Sequence, residues 1–190
     1  MQEGIEETKG NDAAPKEQLA PGGIGVAVAI DWGLAVQIFL TPIITVLNPA
    51  SQPKIAALNS TLTVVLYFII AWLLAGLCLF FGEMLRSGHN WARWIQIAVT
   101  ALLTLGGLAS LPGLYQSLIT GHFWPLVTEV ILVIFAPLVL WRLSRPATGR
   151  WFKTVSAAEA RQRHGGKWVW FIALFAIVGG ILQTLAVMNK

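Results

Sequence analysis

Five long apolar runs dominate this chain and restrict it to one class of fold. They cover residues 24–47, 58–81, 91–111, 123–141 and 168–188. About 20 apolar residues are enough for a helix to cross the roughly 30 Å hydrocarbon core of a bilayer. Only 12% of the 190 residues are charged, which is about half the share found in soluble domains. The sequence therefore predicts an all-α membrane protein, a bundle of about five transmembrane helices with a cytoplasmic N-terminus.

The segments between the runs predict the domain organisation. Residues 1–22 hold five acids and two lysines and few large apolar side chains, which predicts a disordered acidic tail. Residues 23–144 should form four transmembrane helices, residues 145–166 a basic cytoplasmic connector, and residues 167–190 the fifth transmembrane helix. Capping-box spacing between Ser156 and Glu159 predicts a short surface helix in the connector, from about Ser156 to His164.

Prolines and small residues predict details of the helices. Pro42 should kink the first helix or end it early, and Pro112 with Gly113 should end the third helix near Leu111. Asn90 is a plausible N-cap for that third helix. Pairs of small residues four apart are candidate sites of helix packing in lipid: Ala71/Ala75, Gly106/Ser110 and Ala176/Gly180.

The distribution of positive charge predicts the topology. Seven of the thirteen Lys and Arg lie between residues 141 and 167, and cytoplasmic loops of membrane proteins are enriched in these residues. With the N-terminus inside, eleven Lys and Arg fall on the inner side and two on the outer side. Six of the nine Trp also fall at the predicted inner boundary, where an aromatic belt belongs.

Two short motifs lie beside the third and fourth runs. The first is the turn Gly88-His89-Asn90-Trp91-Ala92-Arg93 between the second and third runs. The second is Arg145-Pro146 at the end of the fourth run, followed by Arg150-Trp151-Phe152. Together they resemble motifs of a loose group of small, uncharacterised bacterial inner-membrane proteins. The resemblance covers about residues 24–153. Members of the group usually have four spans, whereas this chain has a fifth run, and the resemblance implies a bacterial cell membrane without implying any chemistry.

Two acids inside the apolar runs are candidate transport residues. Asp31 lies about 10 Å from the inner boundary and Glu129 about 9 Å from the outer one, at 1.5 Å per residue. Ionisable groups at such depth are expensive and are often functional. Their depths differ by about 10 Å in a ~30 Å core, so the two could line one pathway without touching. Alternatively, Asp31 lies at the inner interface and Glu129 reaches the outer interface or stays protonated.

The sequence predicts no catalytic, cofactor or metal site. The three histidines fall in predicted loops without ligand spacing, and no nucleophile motif accompanies the Ser and Thr residues. The connector cations are expected to contact anionic lipid headgroups rather than nucleic acid. Arg93, beside the interfacial Trp91 and Trp94 at the start of the third run, is also expected to reach lipid phosphate. The predicted headgroup contacts are thus Arg93 and, on the connector, Arg145, Arg150, Lys153, Arg161 and Arg163.

Three functions follow from these observations. The favoured interpretation is a structural or accessory membrane protein that packs against a membrane-protein partner or a second copy of itself. The alternative is a small transporter or channel that uses Asp31 and Glu129. An enzyme acting on lipid is the third, and it lacks paired catalytic side chains. A buried Asp31 facing a lumen would favour transport, whereas an Asp31 among headgroups would favour the accessory role.

Overall fold

Seven helices make up the part of the chain that the structure, a computed structural model, describes, namely residues 21–47 and 60–188. They are α1 (Ile24–Leu47), α2 (Thr61–Arg86), α3 (Asn90–Ile119), α4 (Pro125–Ser144), α5 (Pro146–Thr154), α6 (Ala157–Arg163) and α7 (Lys167–Met188). No strand occurs in these ranges. Five helices, α1 to α4 and α7, are long and apolar enough to cross a membrane, so the predicted all-α bundle is confirmed. The predicted acidic tail and the loop at 48–54 lie almost wholly outside the described ranges.

The prolines do not end the helices as predicted. α1 continues through Pro42 to Leu47, and α3 continues through Pro112 to Ile119. α3 thus ends eight residues beyond the predicted end at Leu111. The helices continue because of the hydrocarbon around them. Ending a helix there leaves several carbonyls without partners, whereas an internal proline removes only one backbone hydrogen bond.

α1 lies at the centre of the bundle, between α2 and α7. Its contact with α7 is close, because a Cβ on Gly180 would stand 2.5 Å from Gly33 O. Ala176 is buried at the same contact. Helices approach this closely in lipid where small residues replace bulky ones. α3 packs mainly against α4. The spanning helices thus form two groups, α1 with α2 and α7, and α3 with α4. Large apolar side chains are exposed on the outer faces of both groups.

Two of the three predicted small-residue pairs are buried. Ala71 and Ala75 on α2 are 7% and 4% exposed, and Ala176 and Gly180 on α7 are also buried. The third pair differs, because Gly106 on α3 has open space where a Cβ would be, whereas Gly107 packs directly against Leu132 of α4. Sequence spacing alone does not reveal which side of a uniformly apolar helix faces its neighbour.

The connector folds into the bundle end instead of lying loosely on a surface. It forms two helices, α5 and α6, of which the sequence predicted only the second. Trp151 and Phe152 on α5 are each 4% exposed and join a core cluster with Ile24 and Leu85. In α6, the predicted cap is present as a hydrogen bond from Glu159 N to Ser156 Oγ at 3.2 Å. The connector therefore packs over one end of the transmembrane helices.

The turn between α2 and α3 lies against this connector. Gly88 ends α2 with a φ of +77°, a left-handed conformation that favours glycine. A Cβ at Gly88 would stand 2.8 Å from Val155 Cγ1 and 3.2 Å from Ala160 Cβ. Glycine is thus required at this turn both by the backbone conformation and by the close approach of the connector.

Candidate functional site

Asp31 is buried in the bundle and is held by a neighbouring helix. Its side chain is 8% exposed, and Gln96 Nε2 of α3 donates to Asp31 Oδ1 at 2.9 Å. Gly82 of α2 lies on another side, where a Cβ would stand 3.4 Å from Asp31 Cβ. Three helices therefore surround this carboxyl. The second oxygen, Oδ2, has no hydrogen-bond partner among the described residues, which leaves it able to bind a proton, a cation or a water molecule.

The sequence did not identify the partner of Asp31. Gln96 is 3% exposed, and its backbone carbonyl accepts a hydrogen bond from Thr100 Oγ1 at 2.6 Å. An amide inside an apolar run is a signal that could have been followed, because polar side chains in lipid hydrogen-bond across helices. Which acid it would contact depends on the arrangement of the helices, and this is not encoded in local spacing.

Glu129 occupies a separate site on α4. It is 8% exposed, and its Oε2 has no hydrogen-bond partner in the described ranges. It lines a cavity of about 400 Å³ between α3 and α4, together with Ser110, Ser117 and His122. On α3, fourteen residues separate Gln96 from Ser110, which corresponds to about 21 Å along the helix axis. The structure therefore places Asp31 and Glu129 in distinct sites near opposite ends of the bundle.

Arg93 is placed differently from its predicted contact with lipid phosphate. Its side chain lies within the bundle at 5% exposure, and its Nε donates to Leu143 O at 2.8 Å. That carbonyl belongs to the last turn of α4, where backbone acceptors have no partner within the helix. Asn90 does not cap α3 as predicted, because it is the first helical residue and its Oδ1 accepts from Arg93 Nη1 at 3.3 Å.

The other predicted headgroup residues lie on the connector, with differing exposure. Arg145, Arg150, Lys153 and Arg161 are exposed, whereas Arg163 is half-buried. Arg145 stacks over the Trp141 ring, with 3.7 Å from its guanidinium carbon to the ring centroid. Arg163 Nη2 bonds to Glu159 Oε1 at 2.6 Å. Their contact with lipid stays a prediction.

A reciprocal pair of hydrogen bonds joins α2 to the connector. Arg86 Nη1 donates to His164 O at 3.0 Å, and His164 Nδ1 donates to Arg86 O at 3.2 Å. Arg161 Nε also donates to Ser87 Oγ at 3.0 Å. The His164 ring is 4% exposed. Burial lowers the pKa of His164, and the nearby Arg86 and Arg163 also lower it, against the opposing effect of the hydrogen bond to the Arg86 carbonyl.

The five spans define a small multi-pass integral membrane protein. Comparisons with protein-family models, with curated proteins and with solved structures find no match to this chain. Within the described residues, no three His, Cys, Asp or Glu side chains are grouped so that they could hold a metal ion. The function must therefore be argued from the arrangement of the helices and of the two buried acids.

Proposed function

We propose that the protein is a structural or accessory component of a bacterial cytoplasmic membrane, packed against a partner membrane protein or a second copy of itself. The observation that carries this proposal is the connector, which packs over one end of the bundle. Trp151 and Phe152 lie in the core there, and the Arg86–His164 hydrogen bonds tie the connector to α2. A bundle end that is covered by the connector and held by hydrogen bonds suits a rigid packing unit better than a gate that opens for a solute.

The placement of the two acids supports the same proposal. Asp31 is hydrogen-bonded to Gln96, and Glu129 lies about 20 Å away along the α3 axis. A proton or ion pathway using both would have to connect these two sites through the bundle. The accessory role needs no such connection, because a cross-helix hydrogen bond in lipid contributes about 1 kcal/mol to helix association by itself.

The outer faces of α2, α3 and α7 expose large apolar side chains that are available for packing. α2 carries a stripe of exposed apolar side chains: Leu62, Leu66, Ile69, Leu73, Leu77 and Phe80. This face accepts lipid tails or another helix. The exposed connector cations would add contacts with anionic headgroups at the same membrane surface, at about 1 kcal/mol per residue.

A transporter or channel is the second candidate function. The observation that favours it is the pair of buried carboxyl oxygens, Asp31 Oδ2 and Glu129 Oε2, that have no hydrogen-bond partner within the described ranges. Ionisable groups that are buried within membrane spans commonly mark ion or proton pathways.

Reconstitution into vesicles separates the two functions. We expect the parent protein to support no pH-dependent ion or solute flux, and Asp31→Asn to behave like the parent, since Asn keeps the shape and the hydrogen bond to Gln96. The matched control is Glu129→Gln, which changes the other acid in the same way. A pH-dependent flux through the parent that Asp31→Asn removes would establish the transport function instead.

The size of the purified particle tests whether the protein packs against a partner or a second copy of itself. Purification from native membrane in mild detergent should yield a complex larger than one 20.7 kDa chain, as measured by light scattering corrected for detergent. A particle containing one chain and no partner, after cross-linking in the native membrane, would contradict it.

A further inference from the structure

A groove with two adjoining parts extends from the connector along α1 and α7, and its lower part also reaches α4. Its upper part has a volume of about 570 Å³ and is lined by Arg163, His164 and the first turn of α1. Its lower part has a volume of about 320 Å³ and is lined almost entirely by apolar side chains of the three helices. The two parts share Gly25, Val26 and Ile172 as lining residues. Each volume is in the range of small-molecule sites.

The lower part of the groove has the length of one lipid leaflet. Along α1 its lining runs from Gly25 to Gly33, eight residues or about 12 Å. Along α7 it runs from Phe171 to Gln183, twelve residues or about 18 Å. Half of a ~30 Å hydrocarbon core is about 15 Å. An acyl chain entering from the connector end would therefore fill the groove and stop near the middle of the bilayer.

Among the described residues, basic side chains outnumber acidic ones at the upper part of the groove. Arg163 lines it, and Arg142 lies beside it, with its Nη1 3.1 Å from the position that a Cβ on Gly22 would occupy. Lys167 begins α7 at the same end. Glu159, bonded to Arg163, balances only part of this charge. The charge suits a phosphate, and the apolar groove below suits the chain attached to it.

We propose that this groove binds one anionic phospholipid, with its phosphate at Arg163 and Arg142 and one acyl chain between α1, α4 and α7. The site differs from general attraction of the connector to headgroups, because it holds a single lipid at a defined position. It is independent of the accessory role, since a bound lipid is compatible with either function. The lipid would fill an open groove on the side of the bundle and so stabilise the contact of α4 with α1 and α7.

The groove is tested by filling it. Gly179 lines the lower part, and a Cβ there would meet nothing within 4 Å, so Gly179→Leu should occupy the chain site without displacing a helix. Gly76→Leu on α2 is the matched control, since it also enters open space but lies outside the groove. Native mass spectrometry of the full chain in mild detergent with phosphatidylglycerol should show one retained lipid for the parent and for Gly76→Leu, and none for Gly179→Leu.

The charge is tested with a second pair of variants. Arg163→Gln should weaken retention of phosphatidylglycerol about fivefold, as expected for one lost cation near a phosphate. It should weaken retention of phosphatidylcholine less, because the choline group offsets the charge of that phosphate. Arg150→Gln, which removes an exposed connector cation outside the groove, should change neither. Equal retention of the two lipids by the parent would overturn the proposal, as would full retention by Gly179→Leu.

If Gly179→Leu fails to fold, a measurement on the parent protein tests lipid binding in the groove. Phosphatidylglycerol with a photoactivatable group in the middle of its acyl chain should cross-link to residues 25–33 of α1, which are buried or half-buried. Cross-links confined to the exposed faces of α2, α3 and α7 would show an adventitious lipid shell only, and the groove proposal would be wrong.

Discussion

Two adjacent glycines on α7 have opposite surroundings. A Cβ on Gly180 would stand 2.5 Å from Gly33 O and 2.6 Å from Val36 Cβ, whereas one on Gly179 would meet nothing within 4 Å. The obstacle at Gly180 is backbone and β-carbon, neither of which can swing aside. The closest approach of α1 and α7 therefore depends on Gly180, and an alanine there must push the helices apart.

We accordingly expect Gly180→Ala to lower the free energy of unfolding by about 1–3 kcal/mol, the usual cost of overpacking. Gly179→Ala should be neutral or should raise it by up to about 1 kcal/mol, because alanine is the better helix former. Thermal unfolding in detergent, followed by circular dichroism, measures both. Equal effects of the two variants would show that the α1–α7 contact does not depend on this close approach.

The two buried acids show which features of the site can be predicted from the sequence and which cannot. Asp31 and Glu129 are recognisable in the sequence as acids within apolar runs, and the structure buries both. The hydrogen bond from Gln96 to Asp31 joins residues 65 positions apart, so it depends on how three helices are arranged. Arg93 shows the same limit. Its position beside Trp91 and Trp94 predicted a lipid contact, but the carbonyl of Leu143 at the end of another helix binds it instead.

At the scale of helices, the length of the apolar runs predicts which segments can span the membrane but not where the helices end. The five runs predicted five spanning helices because length and composition determine what can cross a bilayer. Pro112 was a misleading signal, since a proline that ends a helix in water is tolerated in lipid. α5 was missed because Arg145-Pro146 was interpreted as the end of a span. Proline is also favoured at the first position of a helix, and burial of Trp151 against the bundle then stabilises α5.

The connector is attached through His164, and this attachment should depend on pH. The unfolded chain has an ordinary His164 pKa of 6.5, and burial lowers it in the folded protein. Between the two values the unfolded state binds more protons, so the free energy of unfolding rises with pH. The stabilisation is therefore complete above about pH 6.5 and is lost as the pH falls toward the lower pKa of the folded state.

Thermal unfolding of the parent in detergent should show this loss between pH 7.5 and 5. His164→Gln should flatten the dependence on pH, whereas His122→Gln, at the exposed turn before α4, should retain it. The same loss with pH in His164→Gln and the parent would mean that His164 is not responsible for the dependence.

At the scale of the whole molecule, the positive charge of the described residues is confined to one end. All nine Lys and Arg of the described residues lie in the connector, at the adjoining helix ends or in the α2–α3 turn: Arg86, Arg93, Arg142, Arg145, Arg150, Lys153, Arg161, Arg163 and Lys167. The hydrogen bonds from Arg93 to Leu143 and from Arg86 to His164 bring these segments together. An asymmetry of this kind determines the orientation of a membrane protein, with the positive end in the cytoplasm.

We therefore predict that a reporter inserted near Ser156, in the exposed turn between α5 and α6, reports the cytoplasm, and that one fused after Lys190 reports the periplasm. The two must differ in side, because α7 separates them and is long enough to span. Replacing Arg145, Arg150 and Lys153 by Gln should produce a mixed orientation, whereas replacing the outer-turn His122 should not. A cytoplasmic signal from both reporters would mean that α7 packs against the bundle without crossing the membrane, and the close contact of Gly180 with Gly33 would then require α1 to lie outside the bilayer core with it.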